Sequence, residues 1–232
     1  MIGIIGAMDV EVQLLKEALQ NPQTYVFSGV DFTVGKLDGC DVVAAKCGVG
    51  KVFAALCAQT MILKFSPEAI INTGVAGTLT EKLSVGDVAV SENVMQHDMD
   101  TSPLGDPKGM VSGVNRIYFP ADETLKNAVC ESAREEGLRV LTGTIASGDR
   151  FVASREEKKN LHREFGAVAC EMEGGAIGQV CFVNQVPFVV IRAISDGFDD
   201  AAVDYMTFVR SAAEHSARVV RKTVGRLKGG SL

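Results

Sequence analysis

Two acidic side chains, Glu173 and Asp196, occupy the places in this sequence that are best suited to chemistry. Glu173 precedes a run of small residues, 174–179, that is compatible with a helix. Asp196 follows an apolar run, residues 188–194, that predicts a buried strand. In an open α/β sheet, ligands bind outside the carboxyl ends of the strands, where a carboxylate can hydrogen-bond a sugar or transfer a proton. We therefore expect both residues in a functional site.

Asp196 is the candidate for proton transfer. A carboxyl at the end of a buried strand is partly removed from water, and burial favours its protonated form near neutral pH. Ser195 can orient it through a hydrogen bond, although Asp196 could instead cap the helix that follows. Glu11 falls in the first turn of a predicted helix. Taken alone, an acidic residue at such a position usually indicates only a favourable interaction with the helix dipole. Glu171 is expected to point away from the site, because neighbouring glutamates rarely share one direction.

The glycine-containing turns match no nucleotide-cofactor motif. Residues 48–53 begin like the dinucleotide fingerprint but place Phe53 where a small residue is needed, and Val52 where a phosphate-binding loop has Ser or Thr. Residues 72–77 follow a predicted strand with a polar pair and then small residues, which lets a ligand approach the backbone. An ordinary strand-to-helix turn is the alternative. The sequence therefore argues against a dinucleotide or triphosphate cofactor.

The composition predicts a soluble single domain over residues 1–232. Apolar residues make up 47% of the chain, and the net charge of −6 argues against a nucleic-acid surface. Six scattered cysteines without a Cys-x-x-Cys pair are typical of buried, reduced thiols in a cytoplasmic protein. The short apolar N-terminus predicts a strand rather than a signal peptide, and no run approaches the ~18 apolar residues of a membrane helix.

Strand-like and helix-like segments alternate along the chain. The predicted strands lie at residues 2–5, 32–37, 41–46, 69–72, 87–94, 140–146, 167–170 and 187–194, and the predicted helices at 10–19, 52–63, 122–136, 154–165, 174–184 and 204–227. Asp9 and Ser154 are expected to cap two of these helices. Residues 101–115 are expected to form a long loop, and residues 228–231 a frayed end. The alternation predicts an α/β fold with a mixed or parallel sheet between helices.

Taken together, the motifs resemble those of the bacterial 5′-methylthioadenosine/S-adenosylhomocysteine nucleosidases, members of the nucleoside phosphorylase superfamily. The similarity extends over nearly the whole chain and depends on the order and spacing of motifs at residues 3–8 with Glu11, 48–51, 70–77, 147–152, 171–173 and 190–196. The resemblance implies a three-layer α/β/α sandwich with a central mixed sheet, a homodimer, and no metal or organic cofactor. It also implies that water hydrolyses the N-glycosidic bond of an adenine thionucleoside substrate.

The resemblance assigns a role to each site residue. It implies that Asp196 is the general acid toward adenine N7, that Glu11 is the general base for water, and that Glu173 binds the ribose. Arg192 is the implied neighbour that orients the base. The other substrate-binding residues that it implies are Met8, Val49, Ala76, Gly77, Phe151, Val152, Glu171, Met172, Ser195, Tyr205, Phe208 and Leu104 of the partner subunit. The partner's loop would thus lie near the pocket for the 5′ substituent.

Two departures from the family pattern concern substrate range more than reaction type. Val75 replaces a serine and so removes a hydroxyl contact, and the glycines at 174–175 replace Ala-Thr and are expected to loosen the following helix. Three alternatives stay open: a nucleosidase for aminodeoxyfutalosine or futalosine, a purine nucleoside phosphorylase, and a non-catalytic nucleoside sensor. A phosphorylase needs a phosphate cradle with several arginines, which the early glycine turns lack. A sensor would not need both an acid and a base.

Overall fold

Ten strands and six α-helices alternate in the computed structural model, which describes residues 1–199 and 201–227. The strands are β1 (Ile2–Gly6), β2 (Gln20–Phe27), β3 (Val30–Leu37), β4 (Cys40–Lys46), β5 (Ala69–Thr78), β6 (Val88–Gln96), β7 (Phe119–Pro120), β8 (Val140–Ser147), β9 (Ala167–Glu171) and β10 (Phe188–Asp196). The helices are α1 (Asp9–Glu17), α2 (Lys51–Phe65), α3 (Glu123–Glu135), α4 (Arg155–Phe165), α5 (Gly174–Asn184) and α6 (Ala201–Leu227).

All ten strands belong to one mixed sheet, in the order β10-β6-β8-β9-β5-β1-β4-β3-β2, with β7 paired to β6. A further parallel pairing joins β10 to β5, so β5, β10, β6, β8 and β9 close into a ring. Within the ring, β10 pairs antiparallel with β6, and β5 pairs antiparallel with β9. The predicted central mixed sheet is confirmed, whereas its closure into a ring is a feature that strand patterns alone do not reveal.

Helices cover both faces of the sheet. Cys57 and Met61 of α2 pack with Ile177 of α5 in one buried cluster, and Val129 of α3 packs with Val220 of α6 in another, on the face that α1 also covers. These layers confirm the predicted three-layer α/β/α architecture. No described helix is both long enough and apolar enough to cross a membrane.

Several local predictions need correction. Strand β2 was not expected, because its exposed, polar side chains give no apolar alternation to detect. Strand β5 does not end at residue 72, since its backbone pairs with β10 as far as Gly77. Asp9 does not cap α1 either: Met8 occupies the cap position, and Asp9 is the first helical residue.

Other local predictions agree with the structure. Ser154 caps α4, since its side chain accepts a hydrogen bond from the backbone N–H of Glu157. The long loop near residues 101–115 contains one short 3₁₀ turn, Ser102–Leu104. All six cysteines are free, and five of them are buried, with Cys40 half-buried. The predicted frayed end, residues 228–231, lies outside the described residues.

Candidate active site

A cleft of about 470 Å³ opens where β1, β5, β9 and β10 end. Twelve of the predicted site residues line it: Met8, Glu11, Val49, Ala76, Gly77, Phe151, Glu171, Met172, Glu173, Ser195, Asp196 and Tyr205. Ala7, Val75 and Cys170 line it as well. Residues that are far apart in sequence thus meet at one edge of the sheet, as predicted for the carboxyl ends of strands.

Glu11 is a buried carboxylate held by the backbone, not an exposed helix-dipole residue. Its Oε2 accepts hydrogen bonds from the N–H groups of Ala7 (2.7 Å) and Met8 (2.9 Å), and its Oε1 accepts one from Val75 (3.1 Å). Burial raises the pKa of Glu11 above its ordinary value, while the Arg192 guanidinium and these N–H groups act in the opposite direction. Turn, helix and strand backbone therefore fix both carboxylate oxygens in the cleft.

Glu171 lies inside the site, so the expectation that it points away is wrong. Its carboxylate forms a buried ion pair with Arg192 and accepts a hydrogen bond from the Ser147 hydroxyl. Its Oε2 also accepts the backbone N–H groups of Glu173 (3.1 Å) and Gly174 (2.7 Å). The ion pair and the start of α5 account for its inward direction. Glu171 therefore anchors the loop that carries Glu173.

Arg192 lies behind the cleft rather than on its lining. Only 2% of it is exposed, and it donates hydrogen bonds to the carbonyls of Asn72 (3.2 Å) and Ile191 (3.0 Å). Burial alone would lower the pKa of Arg192, but the carboxylates of Glu171 and Glu11 raise it above its ordinary value. The guanidinium therefore stays charged and supplies positive potential between these two carboxylates.

Among the carboxylates of the cleft, Glu173 has the fewest hydrogen-bond donors and cations to balance its negative charge. Its Oε1 accepts a hydrogen bond from the backbone N–H of Gly50, at 2.7 Å, and 6% of the residue is exposed. Burial and the nearby Glu171 carboxylate raise the pKa of Glu173 to about 8. The positive φ of 99° at Gly50 presents this N–H to the site, a conformation that favours glycine. Glu173 therefore has acceptor capacity left for a ligand.

Asp196 is buried and has partners on both oxygens. The Ser195 hydroxyl donates to its Oδ1 at 2.9 Å, as predicted, and the Lys158 ammonium lies 2.7 Å from its Oδ2. Asp196 does not cap α6, which begins at Ala201, five residues along the chain. Sequence reasoning missed Lys158, because a lysine in a charged helical segment normally indicates a solvated face.

The aromatic and apolar residues form the wall opposite these carboxylates. The rings of Phe151 and Tyr205 meet edge to face, with centroids 5.5 Å apart, and the Tyr205 hydroxyl lies 3.3 Å from the sulfur of Met8. Val152 lines a smaller cavity that adjoins the cleft beside Gly77 and Asp196. Phe151 remains 46% exposed, so one face of its ring is open to a ligand.

Besides Arg192 behind the cleft and Val152 in the adjoining cavity, two predicted residues do not line the cleft in this single chain. Phe208 lies on α6 and is 38% exposed, but it is not part of the lining. Leu104 is 86% exposed in the long loop, away from the cleft of its own chain. A contribution from Leu104 therefore requires a second subunit, as the prediction states.

Val75 and the glycines at 174–175, the two departures from the family pattern, leave the local contacts of the site intact. Val75 reaches Glu11 through its backbone N–H, which any residue provides, so the missing hydroxyl leaves that contact intact. The glycines at 174 and 175 do not loosen α5, because Glu171 accepts the N–H of Gly174 and the Ser147 hydroxyl accepts that of Gly175 (2.6 Å). A Cβ atom at Gly175 would lie 2.6 Å from the carbonyl oxygen of Met95. Close packing therefore favours glycine there.

Comparison with known proteins agrees with this geometry. The sequence model of the phosphorylase superfamily matches residues 1–225. A 5′-methylthioadenosine/S-adenosylhomocysteine nucleosidase of Halalkalibacterium halodurans is 42% identical, with 97% of this chain and 98% of that protein covered. One from Shewanella sediminis is 39% identical over 94% of this chain and 96% of that protein.

The chain belongs to this nucleosidase family. Its members are N-glycosyl hydrolases, so the predicted enzyme class is confirmed. The Neisseria meningitidis nucleosidase in complex with methylthio-immucillin-A superimposes with a TM-score of 0.93 at 38% identity, covering 97% of this chain and 99% of that one. The futalosine hydrolase of Helicobacter pylori is also similar, with a TM-score of 0.92 at 34% identity and 97% coverage of both chains.

Proposed function

We propose that this nucleosidase hydrolyses the N-glycosidic bond of 5′-methylthioadenosine and S-adenosylhomocysteine, releasing adenine and the 5-thio-ribose product. The observation that carries the proposal is one cleft in which Glu11, Glu173 and Asp196 are all buried but have different partners. Such differences let three carboxylates perform three tasks in one site. The names of the most similar relatives support the substrate class.

Asp196 is the proposed general acid. Cleavage of the bond between C1′ and N9 leaves its electron pair on adenine, and a proton on N7 turns adenine into a good leaving group. Asp196 lies at the end of β10, and Ser195 and Lys158 hold its two oxygens. A positioned proton donor of this kind typically contributes about 10²- to 10⁴-fold in rate.

Glu11 is the proposed general base for the attacking water. Its Oε2 already accepts two backbone hydrogen bonds, whereas Oε1 accepts only one, so Oε1 has acceptor capacity for a proton from water. The raised pKa of Glu11 makes its carboxylate a stronger base than an exposed glutamate. As the new bond between water and C1′ forms, the proton that water loses passes to Oε1. Arg192 contributes from behind, as a fixed positive charge.

Glu173 is the proposed ribose ligand. One of its oxygens accepts the Gly50 N–H, which leaves the other free to accept hydrogen bonds from the ribose hydroxyls. Met172, beside it in the lining, supplies an apolar contact to the sugar. In this arrangement the ribose hydroxyls donate the hydrogen bonds that Glu173 does not receive from the protein. The binding energy is therefore concentrated next to the reacting carbon, C1′.

The apolar wall is proposed to hold the two ends of the nucleoside. The exposed face of Phe151 stacks on the purine, and the backbone of Val152 reads its edge. Met8, Val49 and Tyr205 surround the 5′ substituent. Ala76 and Gly77 let the ligand approach the backbone of β5 closely. A thioether fits such a wall well, because it needs no polar partner.

The lining argues against two alternatives. Among the described residues that line the cleft, none carries a positive charge. Phosphorolysis needs cationic groups around phosphate, and the nearby Arg192 is buried and bound to Glu171. A futalosine-type nucleoside carries a carboxylate on its 5′ side, which would likewise find no basic partner there. The similarity to futalosine hydrolase keeps that substrate in the test.

We also propose that the active form is a homodimer. Helix α2 exposes the apolar side chains of Val52 (78%), Phe53 (54%) and Leu63 (70%), and Val52 and Phe53 line a cavity together with Val49 and Met172 of the cleft. A second copy of the chain would cover these side chains and bring Leu104 of the partner subunit toward the 5′ pocket. Sedimentation velocity over a range of concentrations tests this, since a monomer at all concentrations would contradict it.

Adenine release from a substrate panel tests the proposed function. The panel contains 5′-methylthioadenosine, S-adenosylhomocysteine, 5′-deoxyadenosine and aminodeoxyfutalosine, each with and without phosphate. We expect release from the two thionucleosides at a rate that phosphate does not change. A strict requirement for phosphate would overturn the hydrolase assignment, and a strong preference for aminodeoxyfutalosine would overturn the substrate assignment. Hydrolysis of the thionucleosides would place the enzyme in methionine salvage in the cytoplasm.

A further inference from the structure

Lys158 is a buried, charged residue whose ammonium contacts the proposed general acid. It lies near the start of α4, its side chain is fully buried, and its ammonium lies 2.7 Å from Asp196 Oδ2. It also donates a hydrogen bond to the carbonyl oxygen of Gly197, which follows Asp196 in the chain. Lysine is almost never fully buried unless it is paired, because removing an ammonium ion from water is costly.

We propose that Lys158 is a positioning residue for the proton transfer to adenine: it holds Asp196 in place and stabilises the carboxylate that Asp196 becomes after it donates its proton. This inference rests on the proposed function, in which Asp196 protonates N7. The proton passes from Asp196 to N7 while Lys158 keeps its own protons throughout. Its ammonium thus faces the negative charge that develops on the acid, which is where a fixed charge accelerates a reaction.

Lys158 is the charged side chain that contacts Asp196 directly. Glu11, Glu171 and Glu173 line the same cleft as Asp196, and Arg150 lines the cavity beside it. Cys170 from β9 and Tyr205 from α6 are further titratable groups near this carboxylate. Burial raises the pKa of Cys170 to about 12 and also raises that of Tyr205, so both are neutral around pH 7. Asp204, also on α6, accepts the N–H of Gly197 at 3.1 Å instead of contacting Asp196.

Gly77 on β5 provides the space for this pair. A Cβ atom at that position would lie 2.5 Å from Asp196 Oδ2 and 3.1 Å from the Lys158 ammonium. The contact between Lys158 and Asp196 therefore involves α4, β5 and β10 together. A side chain at position 77 of β5 would separate the two charges, and the residue there is a glycine. Three elements thus converge on this ion pair, which supports a role beyond filling the core.

The decisive experiment measures the pH profile of kcat for the Lys158→Met variant with 5′-methylthioadenosine. Removing the ammonium should lower kcat by about 10- to 1000-fold, with KM changed less than about threefold. Because an adjacent cation favours the ionised carboxylate, its loss should move the alkaline limb of the profile upward. A purely structural role would lower the amount of active enzyme without moving that limb.

Three further variants complete the test. Lys158→Arg keeps the charge, so the alkaline limb should stay within about half a pH unit of the wild-type position. Lys158→Gln removes the charge but keeps a hydrogen-bond donor, and it serves as the neutral variant if the methionine variant fails to fold. Lys159→Met, at the exposed neighbouring position, should match the wild type throughout. Circular dichroism establishes which variants are folded.

An alkaline limb that stays in place in a folded neutral variant would overturn the inference, as would an unchanged kcat. The Asp196→Asn variant separates this failure from that of the proposed function. If Asp196→Asn is inactive while Lys158→Met resembles the wild type, only the role of Lys158 is wrong. If Asp196→Asn is fully active, the acid assignment itself fails, and the inference about Lys158 fails with it.

Discussion

Replacing Glu173 with glutamine should stabilise the folded protein while it damages the site. The pKa of Glu173 is about 8 in the folded protein and has an ordinary value of 4.5. The native state therefore holds more protons than the unfolded state between these values, and stability is lost as the pH rises through that window. At about 1.4 kcal/mol per pH unit, the gap between these two pKa values makes the ionised side chain cost the folded state about 4 kcal/mol near pH 8.

The Glu173→Gln variant removes this cost and keeps an oxygen that can accept the Gly50 N–H. Its melting temperature should match that of the wild type near pH 5 and exceed it by about 8 to 16 °C at pH 8, since 1 kcal/mol corresponds to about 2 to 4 °C in a protein of this size. Differential scanning calorimetry at pH 5, 6, 7 and 8 measures the difference.

The matched control is Glu81→Gln, at an exposed position after β5, which should give no pH-dependent change in melting temperature. The same preparation of Glu173→Gln should show a higher KM for 5′-methylthioadenosine, because the amide cannot accept from both ribose hydroxyls as a carboxylate does. A Glu173→Gln variant that is equally or less stable than the wild type at pH 8 would refute the reasoning, since the burial cost would then lie elsewhere.

Three other substitutions test the site. Asp196→Asn should reduce adenine release by at least about 10²-fold while 5′-methylthioadenosine still binds, as measured by calorimetry, and near-wild-type turnover would exclude Asp196 as the acid. Glu11→Gln should lose turnover to a similar extent, and an unchanged rate would mean that another group prepares the water. Gly74→Ala should lower kcat without unfolding the protein, because its Cβ would lie 2.6 Å from Glu11 Oε1 and displace the base; full activity would show that Glu11 tolerates the displacement.

Much of the fold was predictable because its signals are local. Apolar runs predict the buried strands, and the spacing of apolar residues predicts the amphipathic helices. The Ser154 cap follows from residue type. Strand β2 was not predictable, because its exposed side chains carry no apolar pattern. The pairing of β10 with β5 could not be predicted either, since it joins segments about 120 residues apart and no local pattern encodes it.

The same distinction between local and long-range signals applies to the site. Glu173 and Asp196 were predictable from their positions beside a helix start and a strand end, and most other cleft residues were predicted through the family resemblance; most of the predicted set lines one cavity. The partners of those residues were not: the ion pair of Glu171 with Arg192 and that of Asp196 with Lys158 both depend on long-range packing. The prediction that Glu171 points away from the site, made because Glu173 lies close to it in sequence, was wrong. The turn into α5 directs the Glu171 side chain inward, toward Arg192.

The four acidic residues that line the cleft are compensated to different degrees, and the differences match their proposed tasks. Glu171 and Asp196 each have a buried cation, and Glu11 has three backbone N–H groups. Glu173 has one N–H and lies near another carboxylate, so it is the residue that a bound ribose would stabilise most. Because ligand binding to the native state adds to its stability, the ribose hydroxyls would offset the cost that burial imposes on Glu173. The least satisfied carboxylate is thus the one whose proposed task is to bind.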